Sequence, residues 1–374
     1  MTKILVLGGG PAGYVAAGRA AQLGAEVTLV EAREIGGTCL NRGCIPTKAM
    51  VAGAERLHEV RSAGAYGVQV GEVGLDFPAF MARKDAVTTQ LRDGVAHLLK
   101  ARKVQVVAGH AALAGPGRLR LAPGATLPDG TILADGGELE GDAVILASGS
   151  EPMRMGLFDW SDPRLMTSDE LLHIETVPSS LAIVGGGVIG CEFASVFTRL
   201  GTRVTVIEML DQLLPGEDQR VSRTLQQAFK KAGIAVRVKT AVESAEAGDA
   251  GVTLRLAGGA EVTAERVLVA VGRRPLSAGL GYAEAGVEIG PGGFVVTDES
   301  CRTTLDGVFA AGDVAGSPLL AHWAYHQGAI AAENAVTGSN LHCDRTLIPN
   351  CVFSSPEVAS CGVTEDKAKA EGIA

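Results

Sequence analysis

Cys39 and Cys44 stand with four residues between them in the stretch Gly36-Gly37-Thr38-Cys39-Leu40-Asn41-Arg42-Gly43-Cys44-Ile45-Pro46-Thr47-Lys48. On an ideal helix that spacing puts their Cα atoms beyond the roughly 7 Å limit for a disulfide, so a bridge requires the chain to bend. Gly43 and Pro46 permit the bend. So small a ring stabilises a large chain only modestly, which favours a disulfide that opens and closes over one that merely braces. Lys48 follows Cys44 by four residues, and a helix beginning near Pro46 brings its ammonium to the face of the second sulfur. A cation there favours the thiolate, the reactive form. Two unbridged thiols in a loop are the plain alternative, and the spacing alone leaves both readings open.

The elements around this stretch carry a pattern that occurs twice. Lys3 to Leu7 is an apolar run ending in Gly8-Gly9-Gly10-Pro11-Ala12-Gly13, with an Ala-rich helical segment to about Leu23. Glu26 to Val30 then reads as a second strand closed by Glu31. Strand, glycine turn and helix form a dinucleotide fingerprint, with Gly8, Gly10 and Gly13 opening backbone N–H groups to a pyrophosphate and Glu31 set to accept from a ribose hydroxyl. Leu181 to Val184, Gly185-Gly186-Gly187-Val188-Ile189-Gly190, a helical stretch to Leu200 and the strand Arg203 to Ile207 ending in Glu208 repeat it. Gly13 to Glu31 and Gly190 to Glu208 have the same spacing, so two dinucleotides are expected. Glu208 suits the free ribose of NAD and repels a 2′-phosphate, and the next arginine in sequence is Arg220.

Between the repeats, Met50 to Arg61 and Asp85 to Arg102 read as amphipathic helices. From Val104 to Leu146 the pattern is that of a β-meander returning to a strand at Ala143 to Ala147. Glu151 to Pro178 reads as a connection. Near the end, an apolar strand runs into Ala311-Gly312-Asp313, ahead of an Ala-rich segment that Asp313 could equally cap. His58 and His97 read as surface or packing residues. Cys191, Cys301, Cys343, Cys351 and Cys361 lack metal-ligand spacing and read as small core residues, so no metal is expected.

Composition narrows the function classes. The chain has 374 residues, enough for two or three domains, with 47% hydrophobic residues to fill their cores. Aromatics at 4% and a net charge of −9 argue against a nucleic-acid partner. No apolar run approaches the length of a membrane span, and the N-terminus reads as a strand rather than a signal. Seven scattered cysteines do not suggest an extracellular framework, so a cytoplasmic location is expected.

The stretch 36 to 48 resembles the disulfide-reducing flavoproteins of the pyridine-nucleotide family, most closely its dihydrolipoamide-oxidising members. Members that reduce glutathione disulfide or mercuric ion differ at several of its intervening positions. The likeness continues through Gly272-Arg273-Arg274-Pro275, Ala311-Gly312-Asp313, Leu320-Ala321-His322 and Ser355-Pro356-Glu357-Val358-Ala359-Ser360. It implies an α/β fold with two Rossmann-like domains, a β-meander insertion and the start of an α+β interface domain. The boundaries are 1–150 and 273–341 for the two parts of the FAD-binding domain, 151–272 for the NAD-binding domain and 342–374 for the start of a dimerisation domain.

The same resemblance gives the residues their roles. Cys39 exchanges with substrate, Cys44 faces the flavin, and Lys48 pairs with Glu192 beside it. FAD is held by Gly8, Gly10, Pro11, Ala12, Gly13, Glu31, Gly37, Thr38, Lys48, Gly109, Ser148, Gly149, Asp313 and Ala321. NAD is held by Gly185, Gly187, Val188, Ile189, Gly190, Glu208, Val242 and Gly272. Dihydrolipoamide on the lipoyl domain of an oxo-acid dehydrogenase complex is the implied partner, and a homodimer the implied assembly. Family members continue with an interface domain bearing a His–Glu acid–base pair that none of the seven histidines here matches. The sequence is therefore expected to be a fragment or a truncated form, with a flavin-binding protein lacking turnover as the alternative from another class.

Overall fold

Strand Lys3–Leu7 (β1) is buried from Ile4 to Leu7, as befits a central parallel strand covered on both faces. Helix Pro11–Gln22 (α1) follows, then strand Glu26–Glu31 (β2), which pairs in parallel with β1, Lys3 beside Glu26 and Leu7 beside Val30. Here and below, the computed structural model describes residues 1–346 and 348–373. Helices Gly37–Arg42 (α2) and Cys44–Ser62 (α3) come next, then the long helix Phe77–Ala101 (α4) and strand Gln105–Ala108 (β3).

The chain forms two compact units, one of Met1–Asn41, Thr88–Glu151 and Arg273–Arg345, the other of Arg42–Val87, Pro152–Gly272 and Thr346–Ala374. In the first unit the strands Val308–Ala310, Ala143–Leu146, β1, β2 and β3 lie side by side in parallel, and two short antiparallel strands extend the edge beyond β3. The expected meander is the antiparallel sheet Ala111–Gly115, Arg118–Leu121 and Gly137–Glu140. Helix Ala321–Thr337 packs on α1, the contact being close enough that a Cβ at Gly328 would land on the Ala12 carbonyl.

The second unit repeats the plan with five parallel strands, Leu165–Met166, Arg266–Val269, Ser180–Val184, Arg203–Ile207 and Ala235–Arg237. Helix Val188–Leu200 buries Phe193, Val196 and Phe197 in a cluster with Met50, Ala54 and Leu57 of α3 and Phe77 and Met81 of α4. The connection from Glu151 to Pro178 includes a one-turn helix, Ser168–Leu171, with a capping box between Thr167 and Glu170.

Three expectations on local structure need correction. Helix α3 starts at Cys44, two residues before Pro46, because Pro46 falls in the first turn, where an N–H has no helical partner to lose. Helix α4 begins at Phe77 rather than Asp85, since Asp76 accepts from Ala79 N at 3.0 Å and Phe77 and Met81 enter the core. Cys351 and Cys361 are exposed, whereas Cys191, Cys301 and Cys343 are buried as expected. His58 and His97 lie on the surface. Among the described residues no helix is long and apolar enough to cross a membrane, and no cluster has metal-ligand geometry.

Candidate active site

Each glycine turn is built from its strand outwards. Gly8 N donates to Val30 O at 2.8 Å and Gly185 N to Ile207 O at 2.8 Å, which carries each chain off its strand towards the neighbouring one. A Cβ at Gly13 would land on the Gly8 carbonyl and one at Gly190 on the Gly185 carbonyl, so only glycine lets either helix start this close to its strand. Gly10 and Gly187 are the N-caps, Pro11 and Ala12 open α1, and Val188 and Ile189 open the second helix. Neither helix has a side-chain cap or a first-turn acid among the described residues, so no side chain competes for its leading N–H groups and positive dipole end. Around Gly187 an added Cβ would meet nothing within 4 Å, and around Gly10 only the Gly37 Cα at 3.7 Å. These donors and this room fit a diphosphate.

The acidic partners are placed alike. Glu31 accepts from Gly9 N at 2.6 Å and Arg33 N at 2.7 Å; Glu208 accepts from Gly186 N at 2.6 Å and Leu210 N at 2.7 Å. Each carboxylate thus braces its turn at the end of the second strand, where a ribose would lie.

In the first unit, α2 begins at Gly37 and carries Thr38 and Cys39. The Asn41 amide bonds to the carbonyls of Ile35 and Gly37, both at 3.0 Å, and so fixes the approach to this turn. Arg273 donates through Nε to Ser150 Oγ and through Nη2 to Ser150 O, both at 2.8 Å, and reaches Thr38 Oγ1 at 3.5 Å. Ser150 Oγ in turn donates to Asp313. Thr38, Ser150, Arg273 and Asp313 therefore form one polar chain. Ser150 and Arg273 were not among the expected site residues, although both adjoin motifs that the sequence displays. Ser148 donates to Leu276 O and accepts from the buried Tyr282 hydroxyl at 3.0 Å, next to Gly149. Gly109 N bonds to Glu31 O at 2.8 Å, and Ala321 opens its helix.

Between α2 and α3 the helical path breaks at Gly43, with φ −143° and ψ −112°, leaving Cys39 on one side and Cys44 on the other. This is the bend that a bridge requires.

In the second unit Lys48 donates to both oxygens of Glu192, at 2.8 and 2.9 Å, and Glu192 also accepts from Phe353 N at 3.0 Å. The Phe353 ring lies 4.6 Å from the Lys48 ammonium. The Glu192 side chain is 4% exposed and that of Lys48 30%, so the carboxylate is the partner that cannot turn to water. Phe353 escaped sequence reasoning because only the fold brings its main-chain N–H and its ring to the Glu192–Lys48 pair. Cys191, beside Glu192, is inert by contrast, since burial pushes its thiol well above the ordinary range, helped by the charges of Glu192 and Glu208. Gly272 O accepts from Met153 N at 3.0 Å. Val242 lies on an antiparallel strand and packs against the apolar cluster of Leu254 and Leu256, two residues after Thr240, whose N–H donates to Glu208 O at 3.0 Å.

Similarity to known proteins runs along the same lines. Residues 2–328 match the family model of the pyridine nucleotide-disulphide oxidoreductases. The chain is 39% identical over 377 residues to dihydrolipoyl dehydrogenase 2 of Haloarcula marismortui, covering 100% of this chain and 78% of the relative. It is 40% identical over 375 residues to a dihydrolipoyl dehydrogenase of Bacillus subtilis, covering 99% and 79%. Among solved structures, LpdA of Mycobacterium tuberculosis superposes with a TM-score of 0.90 at 30% identity, covering 99% of this chain and 80% of that one. The HOCl-induced flavoprotein disulfide reductase RclA of Escherichia coli gives 0.86 at 27%, covering 99% and 79%. With its paired glycine turns and its bend between two cysteines, the chain belongs to the pyridine nucleotide-disulphide oxidoreductase family.

Proposed function

We propose that this protein is an FAD- and NAD-dependent dihydrolipoyl dehydrogenase, oxidising dihydrolipoamide to lipoamide through Cys39 and Cys44. The observation that carries the reading is the helix break at Gly43, with a cysteine on either side of it. The likeness to dihydrolipoyl dehydrogenases over essentially the whole chain supports it.

A substrate thiolate attacks the Cys39–Cys44 disulfide at Cys39; the S–S bond breaks and its electron pair leaves on Cys44. The second substrate thiol then attacks the mixed disulfide, closing lipoamide and leaving Cys39 and Cys44 as a dithiol. FAD and NAD, when bound, would supply the two-electron acceptor chemistry that restores the disulfide. Gly8, Gly10, Gly13, Glu31, Thr38 and Asp313 would hold FAD in the first unit. Gly185, Gly187, Gly190 and Glu208 would hold NAD in the second, with Val242 and Gly272 at its margin. Lys48, fixed by Glu192, keeps a cation four residues from Cys44. Within the same proposal the substrate arrives on a lipoyl domain of an oxo-acid dehydrogenase complex, the protein works as a homodimer, and scattered cysteines rather than a disulfide framework support a cytoplasmic location.

The test compares NAD-linked oxidation of dihydrolipoamide with NADH-linked reduction of glutathione disulfide and mercuric ion, using the flavin-loaded protein. Turnover of dihydrolipoamide well above the others is expected; turnover of either other substrate without it would overturn the assignment.

A further inference from the structure

Away from the bend at Gly43, a second pair of sulfurs faces one another. Cys301 Sγ and Cys343 Sγ are 3.5 Å apart although 42 positions separate them in the chain. Cys301 is 1% exposed and sits at φ +63°, a left-handed conformation that costs a side chain with a Cβ. The Asp298 carboxylate holds that turn, accepting from Ser300 N at 2.9 Å and Arg302 N at 2.8 Å. The result directs the Cys301 thiol inward, 3.7 Å from the Gln327 carbonyl.

The facing segment is registered without help from the sulfurs. Cys343 N donates to Glu299 O at 2.8 Å, Ser300 Oγ to Asn340 at 2.8 Å and Arg302 to Ser339 O at 3.0 Å. Two small core residues would need neither the strained turn nor this alignment. The thiols also differ chemically. Cys343, 9% exposed, is held below the ordinary thiol range by the hydrogen bond from Cys301 and by the Arg345 guanidinium, against the opposing effects of burial and Asp298. Cys301 is pushed up, first by that hydrogen bond and then by burial. The difference suits Cys343 to the part of nucleophile and Cys301 to that of resolving thiol.

We propose that Cys301 and Cys343 form a second redox couple, a modification site that peroxides convert to a disulfide. The Cys343 thiolate attacks one peroxide oxygen; the O–O bond breaks, water leaves after protonation, and Cys343 becomes a sulfenic acid. The Cys301 sulfur then attacks Cys343; the S–S bond forms, the S–O bond breaks, and a second water leaves. Two thiols and one hydrogen peroxide give one disulfide and two waters. The sulfurs close from 3.5 Å to about 2.0 Å, a side-chain adjustment between segments already held together. The disulfide encloses strand Val308–Ala310 and helix Ala321–Thr337, and so clamps the elements beside the first glycine turn. A small dithiol reopens it by exchange.

The experiment uses the full chain with flavin bound, reduced, freed of reductant and treated with hydrogen peroxide. It is then denatured, alkylated and digested without reductant. A peptide pair joined through residues 301 and 343, about 2 Da lighter than the two thiols and lost on reduction, is expected. Cys301→Ser should instead stop at a sulfenic acid on Cys343 that dimedone captures. Recovery of Cys301 and Cys343 in the wild-type protein as alkylated thiols, as unlinked higher oxides or in links to other cysteines would overturn the proposal, whether or not the variant folds.

Discussion

The two glycine turns are near copies, down to the 2.6 Å bond from the second glycine to its acidic partner and positive φ values of 106° and 110° at Gly8 and Gly185. Their surroundings diverge. The first helix buries only small residues, Ala12, Gly13, Ala16, Ala17, Gly18 and Ala20, and meets a closely packed helix with Ala12 against Gly328, whereas the second buries Phe193, Val196 and Phe197 against α3. The position two after the last glycine is Val15 in the first copy and Glu192 in the second. The strand after the first turn leads through Ile35, which lies over Gly9, to Gly37 and the cysteines, while that after the second leads to a loop that lays Leu213 over Gly186 and carries no cysteine. The turn is a backbone device that tolerates either setting. What each copy does follows from the side chains at its margin.

If the first copy alone leads into the redox centre, Cys39→Ser and Cys44→Ser should each lower dihydrolipoamide oxidation by about 1000-fold or more, since no other described thiol takes the place of a member of the pair. NAD affinity, measured by titration, should stay within about twofold of the parent. A comparable loss of NAD binding would break the division between the copies.

A sharper test uses a position beside the turns where the copies differ in charge. Lys48→Met strands the Glu192 carboxylate, 4% exposed, with only the Phe353 N–H, and should destabilise the fold by about 3 kcal/mol in denaturant titration. Glu192→Val writes the first copy's residue into the second and strands Lys48 instead. Its side chain keeps 30% exposure, so the ammonium can reach water and the loss should be nearer 1 kcal/mol. Equal losses would mean that the pair is not asymmetric.

Gly13→Ala and Gly190→Ala both drive a Cβ into a carbonyl oxygen, an overpacking worth about 1–3 kcal/mol, or roughly 10- to 100-fold in affinity. The first should cost flavin content and spare NAD; the second should do the reverse. A crossed result would exchange the cofactor assignments.

These contrasts also explain what could be read from the sequence. The turns and the bend were legible because they are local; Gly8 and Gly13, their counterparts Gly185 and Gly190, and Gly43 answer to backbone geometry within a few residues. The Lys48–Glu192 pair came from family likeness, not from spacing, for 144 positions separate the two. The Arg273–Ser150–Asp313 chain, the Phe353 N–H and the Cys301–Cys343 contact arise where distant segments meet, and no periodicity records such meetings. A helix read from Asp85 starts too late because its cap, Asp76, sits before apolar residues whose burial only the fold reveals.

The smallest effect concerns the choice of nicotinamide nucleotide. Sequence distance made Arg220 the arginine to consider, but the sheet sets Arg237 beside Ile207 and bonds Glu208 N to its carbonyl at 2.8 Å. Its side chain is exposed. Glu208→Gln keeps an acceptor for Gly186 N and loses only the charge, so NAD affinity should fall by about threefold, the loss of a fraction of one charge-assisted bond. Glu208→Ala also removes the brace and should weaken NAD by about tenfold. In both variants NADP use should rise relative to NAD, because a carboxylate no longer meets the 2′-phosphate. Adding Arg237→Ala should cancel that gain if the strand neighbour supplies the charge, and leave it intact if repulsion by Glu208 was the whole discrimination.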